Sequence, residues 1–220
     1  MIRHHLPEPP GPPRMPSPSS ERCRRAARSD AAPCGETVPL PFCTIGHSNR
    51  TLAEFVGLLS DAHIEAVVDI RKIPRSRANP LFNQETFPDA LAAFGVSYEH
   101  VAALGGLRGK ARTLPRNVNG FWTNESFHNY ADYALSDAFR AGLDRLLDIG
   151  RERRCVMMCS EAVWWRCHRR IVADYLIASG KTVFHLMGRG RQEPAHLTPG
   201  AVIQADRTIV YPDASGRSSA

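Results

Sequence analysis

The segment CSEAVWWRCHRR, residues 159–170, concentrates side chains that could do chemistry. It brings the thiols of Cys159 and Cys167 together with the Glu161 carboxylate and the His168 imidazole. An apolar run precedes it and a helical pattern follows, so Cys167 is predicted at a helix N-terminus, where the helix dipole and free N–H groups favour a thiolate. We therefore predict that Cys167 is a nucleophile or redox group, with Glu161, His168 and, from another loop, His47 also supplying acid, base or nucleophile.

The same residues could also be metal ligands. Such a site would use Cys159, Glu161, Cys167 and His168. Neighbouring residues of a helix point about 100° apart, so Cys167 and His168 are not expected to bind one ion. No metal ligand is therefore assigned. Two alternatives stay open: a metal protein that uses both cysteines with a distant histidine, His185 or His196, and a purely structural role for buried cysteines.

Arginines that follow predicted strands form a candidate anion site. The segment RKIPRSR, residues 71–77, places several arginines in one loop, and planar guanidinium groups match phosphate oxygens. We predict that Arg71, Arg77 and Arg169 hold anionic groups. Asp69, at the end of a predicted strand, is either a ligand-binding residue or a buried acceptor for Arg71.

Small residues follow two other predicted strands. A glycine at a strand end allows close approach of a ligand to the backbone, and paired glycines permit a tight turn. The remaining ligand-binding candidates are Gly46, Ser48, Gly105, Gly106 and Cys159.

The elements that must position these residues alternate between strand and helix. Short apolar runs at 42–45, 65–70, 96–101, 153–159 and 181–187 predict five strands. Amphipathic segments at 51–63, 84–95, 125–149 and 167–179 predict helices, the first opened by a Thr51–Glu54 capping box and the third ended by Gly150. This alternation predicts a single α/β domain with a mainly parallel sheet of about five strands and helices on both faces. Ligands of such sheets bind beyond the carboxyl ends of the strands, where the polar residues above cluster.

Composition limits the remaining possibilities. The 220 residues suit one domain over 39–205, between a disordered Pro/Arg-rich tail at 1–38 and a C-terminal tail at 206–220. The net charge is +6 and almost all of the basic residues are arginine, so the charge is weak evidence for nucleic-acid binding. The chain has neither an apolar signal region nor a run of transmembrane length. A cytoplasmic location, reduced cysteines and no membrane partner are therefore expected.

Several motifs together resemble a known bacterial family. TIGHSNRTLAEFVGLL, VVDIRKIPRSRANPLFN, YEHVAALGGLRG and CSEAVWWRCHRRIVADYLIASGKTVFHL, within residues 43 to about 205, resemble the family called domain of unknown function 488. The family's polar signature is matched by Gly46, His47, Ser48, Asp69, Arg71, Cys159, Glu161, Cys167, His168 and Arg169. Trp164 and Trp165 depart from it, because smaller or Pro-containing sequence is expected there. The resemblance implies no particular reaction, and some members carry a DNA-repair label.

These observations favour an enzyme that acts on a phosphorylated small molecule or nucleic-acid component at the carboxyl edge of the sheet. The alternative is a non-catalytic nucleotide or nucleic-acid binding module, which could serve DNA repair and in which the Cys/His/Arg block is structural. The third is the metal protein described above. No cofactor is assigned, and the expected partner is an anionic small molecule or nucleic acid.

Overall fold

The computed structural model describes residues 39–213, and the predicted N-terminal tail lies outside them. The described chain is an α/β fold built on a six-stranded sheet. Its strands are β1 Phe42–Gly46, β2 Ala66–Asp69, β3 Ser97–His100, β4 Cys155–Cys159, β5 Val183–Gly188 and β6 Arg191–Pro194. Their order across the sheet is β3-β2-β4-β1-β5-β6. The first five strands are parallel, as predicted, and β6 pairs antiparallel with β5.

Helices cover both faces of the sheet. They are α1 Leu52–Asp61, α2 Phe87–Ala92, α3 Glu125–Tyr133, α4 Asp137–Glu152 and α5 Arg169–Ala178. Successive residues of a strand face opposite sides, and β4 shows this directly. Val156 and Met158 pack with α1 and α2, whereas Cys155, Met157 and Cys159 pack with α3, α4 and α5. β1, β2 and β4 are therefore buried on both faces, as a parallel sheet requires.

The helix ends agree in part with the sequence. Thr51 and Glu54 form the predicted capping box at the start of α1. Ser136 accepts from the Phe139 N–H and caps α4, which explains the break between α3 and α4. The prediction that Gly150 ends the helix was wrong: α4 continues to Glu152 and packs so closely on the Phe42 ring that no side chain would fit at residue 150.

The start of α5 also differs from the prediction. A short 3-10 helix at Trp164–Arg166 precedes it, Cys167 is extended, and His168 is the N-cap of a helix that begins at Arg169. Cys167 therefore lies just before the helix.

The chain beyond residue 205 adds to the core. A two-stranded hairpin joins β7, Val202–Ile203, to β8, Ile209–Val210. Ile209 and Tyr211 are fully buried, and the Tyr211 hydroxyl donates to buried Asp174 at 2.9 Å. Ile209 and Tyr211 thus pack on the core, within the range predicted as a C-terminal tail.

Strands β1 and β4 are neighbours that lead to opposite faces of the sheet. After β1 the chain enters α1 on one face, and after β4 it enters α5 on the other. Such a divergence opens a crevice at the carboxyl edge, which is where ligands bind in open α/β sheets. Gly46 and Cys159 end these strands in register. Within residues 39–213 no helix is both long and apolar enough to cross a membrane.

Candidate functional site

A cavity of about 760 Å³ opens beside the carboxyl ends of β2 and β4. Its walls come from the loop after β2, the loop after β3, helix α3, and the segment between β4 and α5. The lining residues are Arg71, Lys72, Ile73, Arg75, Ser76, Arg77, Gly106, Leu107, Ser126, Phe127, Tyr130, Cys159, Ser160, Glu161, Arg166, Cys167 and His168.

Two thiols and an imidazole meet in the wall of this cavity. The His168 Nδ1 atom lies 3.9 Å from the Cys159 Sγ and 3.8 Å from the Cys167 Sγ. The three atoms all lie within 4.8 Å of one another, and both cysteines are free and buried. We call Cys159, Cys167 and His168 the thiol–imidazole cluster.

The hydrogen bond on the far side of the His168 ring fixes its orientation. Nε2 lies 3.1 Å from the Ile70 carbonyl oxygen, which can only accept, so Nε2 carries the proton. In the neutral ring Nδ1 is then unprotonated, and its lone pair faces the two sulfur atoms. The cluster therefore has an acceptor, or a ligand, aimed at both thiols.

The expectation that Cys167 and His168 point apart was wrong, because it assumed that both lie within the helix. The extended conformation of Cys167 and the N-cap position of His168 turn their side chains to the same place. Cys159 joins them from the end of β4.

The structure favours Cys159 over Cys167 as the thiolate. A hydrogen bond from the Cys167 thiol holds the pKa of Cys159 well below its usual value, and this effect and that of nearby His168 outweigh the opposing effect of burial. Burial and the neighbouring Cys159 sulfur raise the pKa of Cys167. The role of Cys167 as nucleophile, predicted from the helix dipole, stays a prediction.

Asp69, Arg71 and His47 form a buried network beside the cavity. Asp69 accepts from the Arg71 Nε at 2.9 Å and from the Tyr98 hydroxyl at 2.8 Å, and the Arg71 Nη2 also donates to the Phe82 carbonyl at 2.7 Å. This makes Asp69 the buried acceptor that was one of its two predicted roles. Arg71 lines the cavity, but most of its N–H groups are used within the protein.

His47 supports Arg71 and does not line the cavity. Its Nδ1 donates to the Ser48 carbonyl at 3.0 Å, so its Nε2 accepts from the Arg71 Nη1 at 3.3 Å. The ring stacks on Phe82 at 4.5 Å, and burial lowers the pKa of His47. These contacts hold His47 in place beside Arg71, and its role as an acid or base stays a prediction.

Arg169 organises the loop after β4. Its side chain is 1% exposed, and its two terminal nitrogens donate to the carbonyls of Glu161 and Ala162 at 2.6 and 3.0 Å. It contacts the loop backbone and is not among the residues that line the cavity.

Gly46 allows β1 to approach the same loop. A Cβ atom at residue 46 would lie 1.7 Å from the Glu161 carbonyl oxygen. The N–H of Ser48 donates to the Ser160 carbonyl at 2.9 Å, so the backbone pairing of β1 with β4 continues past the strand ends. Gly46 and Ser48 pack against the loop but do not line the cavity, whereas the exposed Glu161 side chain does.

The paired glycines after β3 serve close packing. At residue 106 a Cβ would lie 2.9 Å from the His168 Nδ1, and at residue 105 it would lie 2.6 Å from the Lys72 backbone. Only Gly106 of the two lines the cavity.

The charged side chains of the cavity wall are mainly basic: five are lysine or arginine and one is acidic. Arg75 pairs with exposed Glu85, and Lys72 donates to the Leu107 carbonyl at 3.0 Å. Arg77 and Arg166 are exposed and have no side-chain hydrogen bond or ion pair with any residue in 39–213.

Sequence patterns did not reveal part of the lining. Phe127 and Tyr130 reach the cavity from α3, and Tyr130 is anchored by a 2.6 Å hydrogen bond to the Leu104 carbonyl. Their three-residue spacing marks one helix face, but only the tertiary fold shows that this face meets His168, whose ring lies 4.8 Å from that of Tyr130.

The distant histidines are not part of the cluster. His185 is buried against Trp164, with ring centroids 4.5 Å apart, and its Nδ1 is 2.8 Å from the Thr44 hydroxyl. His196 is exposed. Among residues 39–213, the only group of potential ligands assembled around the two cysteines contains His168.

Comparison with known proteins identifies the family. The family described as "Domain of unknown function DUF488" matches residues 51–176, which is more than half of the chain. No curated protein and no solved structure shows a significant match. The matched range includes Asp69, Arg71 and the whole thiol–imidazole cluster. The chain therefore belongs to the DUF488 family.

Proposed function

We propose that this protein is an enzyme that acts on a phosphorylated small molecule or nucleic-acid component, with the thiol–imidazole cluster as its reactive centre. The observation that supports the proposal most is that this cluster lines one cavity with Arg77 and Arg166, which are unpaired within residues 39–213. The cavity of about 760 Å³ has the size of a small-molecule site.

The anionic part of the ligand would lie against Arg77 and Arg166. Within the described part of the chain both guanidinium groups are free to donate, and charge-assisted bonds to phosphate are stronger than neutral hydrogen bonds. Arg71 could add one N–H from Nη1, because Asp69, Phe82 and His47 take the others. The anion site thus differs from the predicted one, with Arg166 in the place of Arg169.

The apolar part of the ligand would lie against Phe127 and Tyr130. Phe127 stacks on Trp122 with ring centroids 4.8 Å apart, so its ring is held in place. Exposed Ile73 and Leu107 add apolar surface to the same cavity. A phosphorylated compound that also carries a ring, such as a nucleotide, would contact both the arginines and the apolar side chains.

The cluster would supply the chemistry. The His168 Nδ1 lone pair can take the thiol proton, and the resulting thiolate can act as a nucleophile or as a ligand at the cavity wall. Glu161 lies on the same wall as a further acid or base.

The experiment is a binding and turnover screen with nucleoside phosphates, sugar phosphates and their dephosphorylated counterparts. We expect the phosphorylated compounds to bind at least about 10-fold more tightly, which corresponds to one charge-assisted hydrogen bond. We expect a similar loss of affinity in Arg77→Ala and in Arg166→Ala. Arg151→Ala is the matched control, because this exposed arginine pairs with Asp148 at the end of α4.

Two results would count against the proposal. Equal binding of phosphorylated and dephosphorylated compounds would exclude the anion site, and binding without turnover would favour the non-catalytic module. A salt titration adds a further distinction, because binding of an extended nucleic acid weakens steeply with salt. Binding in a closed small-molecule site changes less.

A further inference from the structure

The geometry points to the thiol–imidazole cluster as a zinc-type metal site: Cys159 Sγ, Cys167 Sγ and His168 Nδ1 would bind one divalent ion and leave a fourth position open to the cavity. Metal binding itself does not depend on the proposed function. Only the role of the fourth position rests on it.

The spacing of the donor atoms suits tetrahedral zinc. Zn–S and Zn–N bonds of about 2.3 and 2.0 Å at tetrahedral angles place sulfur and nitrogen about 3.5 Å apart. The observed separations are 3.9 Å for Cys159 and 3.8 Å for Cys167, measured from the His168 Nδ1. The two sulfur atoms lie within 4.8 Å of each other, and tetrahedral zinc would place them about 3.8 Å apart, so shifts of less than about 1 Å would complete the coordination.

The imidazole is already oriented as a ligand. Metal-bound histidines usually donate their other ring N–H to a carbonyl or carboxylate, which fixes the tautomer and the ring plane. His168 makes this contact with the Ile70 carbonyl at 3.1 Å. Tyr130 packs on one side of the ring, and Gly106 approaches Nδ1 without a side chain of its own.

The charge balance also favours a divalent ion. Cys159 and Cys167 are 5% and 2% exposed, and a buried thiolate is costly without a compensating cation. Binding of the ion would release the proton of the Cys167 thiol to solvent and leave two thiolates as ligands. A bound Zn²⁺ neutralises both. Two sulfurs and one imidazole suit zinc and disfavour magnesium or calcium, which take oxygen ligands.

The three donors leave a coordination position for a substrate or water. Sites with three protein ligands and an open position are typical of catalytic zinc, whereas structural zinc has four protein ligands. Cys159, Cys167 and His168 all line the cavity with Arg77 and Arg166, so a ligand held there would be next to the ion. The Glu161 carboxylate is not one of the three grouped donors.

The test uses the full chain without a histidine tag and with Cys23→Ser and Cys34→Ser, which removes the two thiols outside the described residues. The reduced, metal-free protein is titrated with Zn²⁺ against a chromophoric chelator, and with Co²⁺ as a spectroscopic probe. We expect one ion per chain and a Co²⁺ spectrum with thiolate charge-transfer absorption and tetrahedral ligand-field bands.

The variants are Cys159→Ser, Cys167→Ser and His168→Gln. Each should weaken Zn²⁺ binding by more than about 100-fold, because loss of an outer-shell contact alone costs 10- to 100-fold. Cys155→Ala is the matched control: this thiol is buried on the same strand as Cys159 but is not in the cluster, so its loss should leave Zn²⁺ affinity unchanged.

Absence of thiolate charge-transfer absorption with Co²⁺ in the otherwise wild-type chain would overturn the proposal, even if a variant fails to fold. Unchanged Zn²⁺ affinity in both Cys167→Ser and His168→Gln would overturn it as well. Binding of phosphorylated ligands to the metal-free protein is measured separately, so a failed metal site and a failed anion site give different results.

Discussion

Two arginine–carboxylate pairs near the cavity differ in burial and therefore in energy. Arg71 and Asp69 are 5% and 0% exposed, whereas Arg75 and Glu85 are 71% and 53% exposed. Removing one member of a buried pair leaves an uncompensated charge, which costs about 3–5 kcal/mol. An exposed pair contributes about 0–1 kcal/mol.

We therefore expect Asp69→Asn to lower the free energy of unfolding by about 3 kcal/mol or more, with urea denaturation as the measurement. Glu85→Gln, the matched control, should change it by less than about 1 kcal/mol. Equal effects of the two substitutions would contradict the assignment of Arg71 to the buried network.

His185 makes the stability of the protein sensitive to acid. Burial lowers the pKa of His185 to about 4, from 6.5. The neutral ring is therefore favoured in the folded state, while the unfolded chain takes up a proton below pH 6.5. Stability from this residue is complete above pH 6.5 and is lost as the pH falls toward 4.

Between pH 7 and pH 5 this linkage corresponds to about 2 kcal/mol of unfolding free energy. His185→Gln should reduce the pH dependence by that amount, as measured by urea denaturation at the two pH values. If wild type and variant lose the same stability between pH 7 and pH 5, the burial of a neutral His185 is excluded.

The close approach of β1 to the loop after β4 can be tested at one glycine. A Cβ at residue 46 would overlap the Glu161 carbonyl, so the strand or the loop must shift. We expect Gly46→Ala to destabilise the fold by about 1–3 kcal/mol, the usual cost of overpacking, and to displace the loop that leads to the cluster.

Gly109→Ala is the control, because a Cβ there has no neighbour within 4 Å and the backbone is not in the left-handed region. Thermal unfolding and ligand binding of the two variants should differ clearly. If Gly46→Ala is as stable as Gly109→Ala, the prediction is wrong, because the loop after β4 then moves away from residue 46 without loss of unfolding free energy.

Sequence patterns predicted the helices and strands well where burial determines which positions are apolar. β1, β2 and β4 are short runs of fully buried residues, which a parallel sheet covered on both faces requires, whereas β3 at the sheet edge is half-buried. Strand β6, RQEP, was missed because it is a polar edge strand with no buried face. The start of α5 was misplaced because the 3-10 turn at Trp164–Arg166 has no sequence period of its own.

The site was only partly predictable for a similar reason. Ligands of parallel sheets bind at the carboxyl edge, and this rule places Cys159, His168 and Arg77 together because each follows a predicted strand. All three line the cavity. The roles of His47 and Arg169 depend on contacts made across the fold: His47 meets Arg71 from another strand end, and Arg169 folds back on the Glu161 carbonyl. Residue type alone does not distinguish side chains with such internal contacts from side chains that line a cavity.

For the whole molecule, we propose that the folded unit extends beyond residue 205. Ile209 and Tyr211 are fully buried, and each large buried side chain contributes about 1.5–3 kcal/mol. A chain that ends at residue 205 should lose about 3–6 kcal/mol, a large part of the stability of an ordinary domain.

Denaturant unfolding of that truncation and of a chain ending at residue 213 measures the difference. The longer chain should be as stable as the full protein, because it keeps both side chains. Full stability of the chain that ends at 205 would contradict the packing of this segment on the core.

The most direct test of the proposed site asks whether a phosphorylated ligand covers the cysteine cluster. The measurement is the rate of iodoacetamide labelling of Cys159 and Cys167 in the reduced, metal-free protein, with and without a saturating phosphorylated ligand from the screen. We predict that the ligand slows labelling of Cys159 in a saturable way, and that Arg77→Ala with Arg166→Ala shifts this protection to higher ligand concentration. Labelling that is unchanged at saturation would place the ligand elsewhere and contradict a shared site for the anion and the thiols.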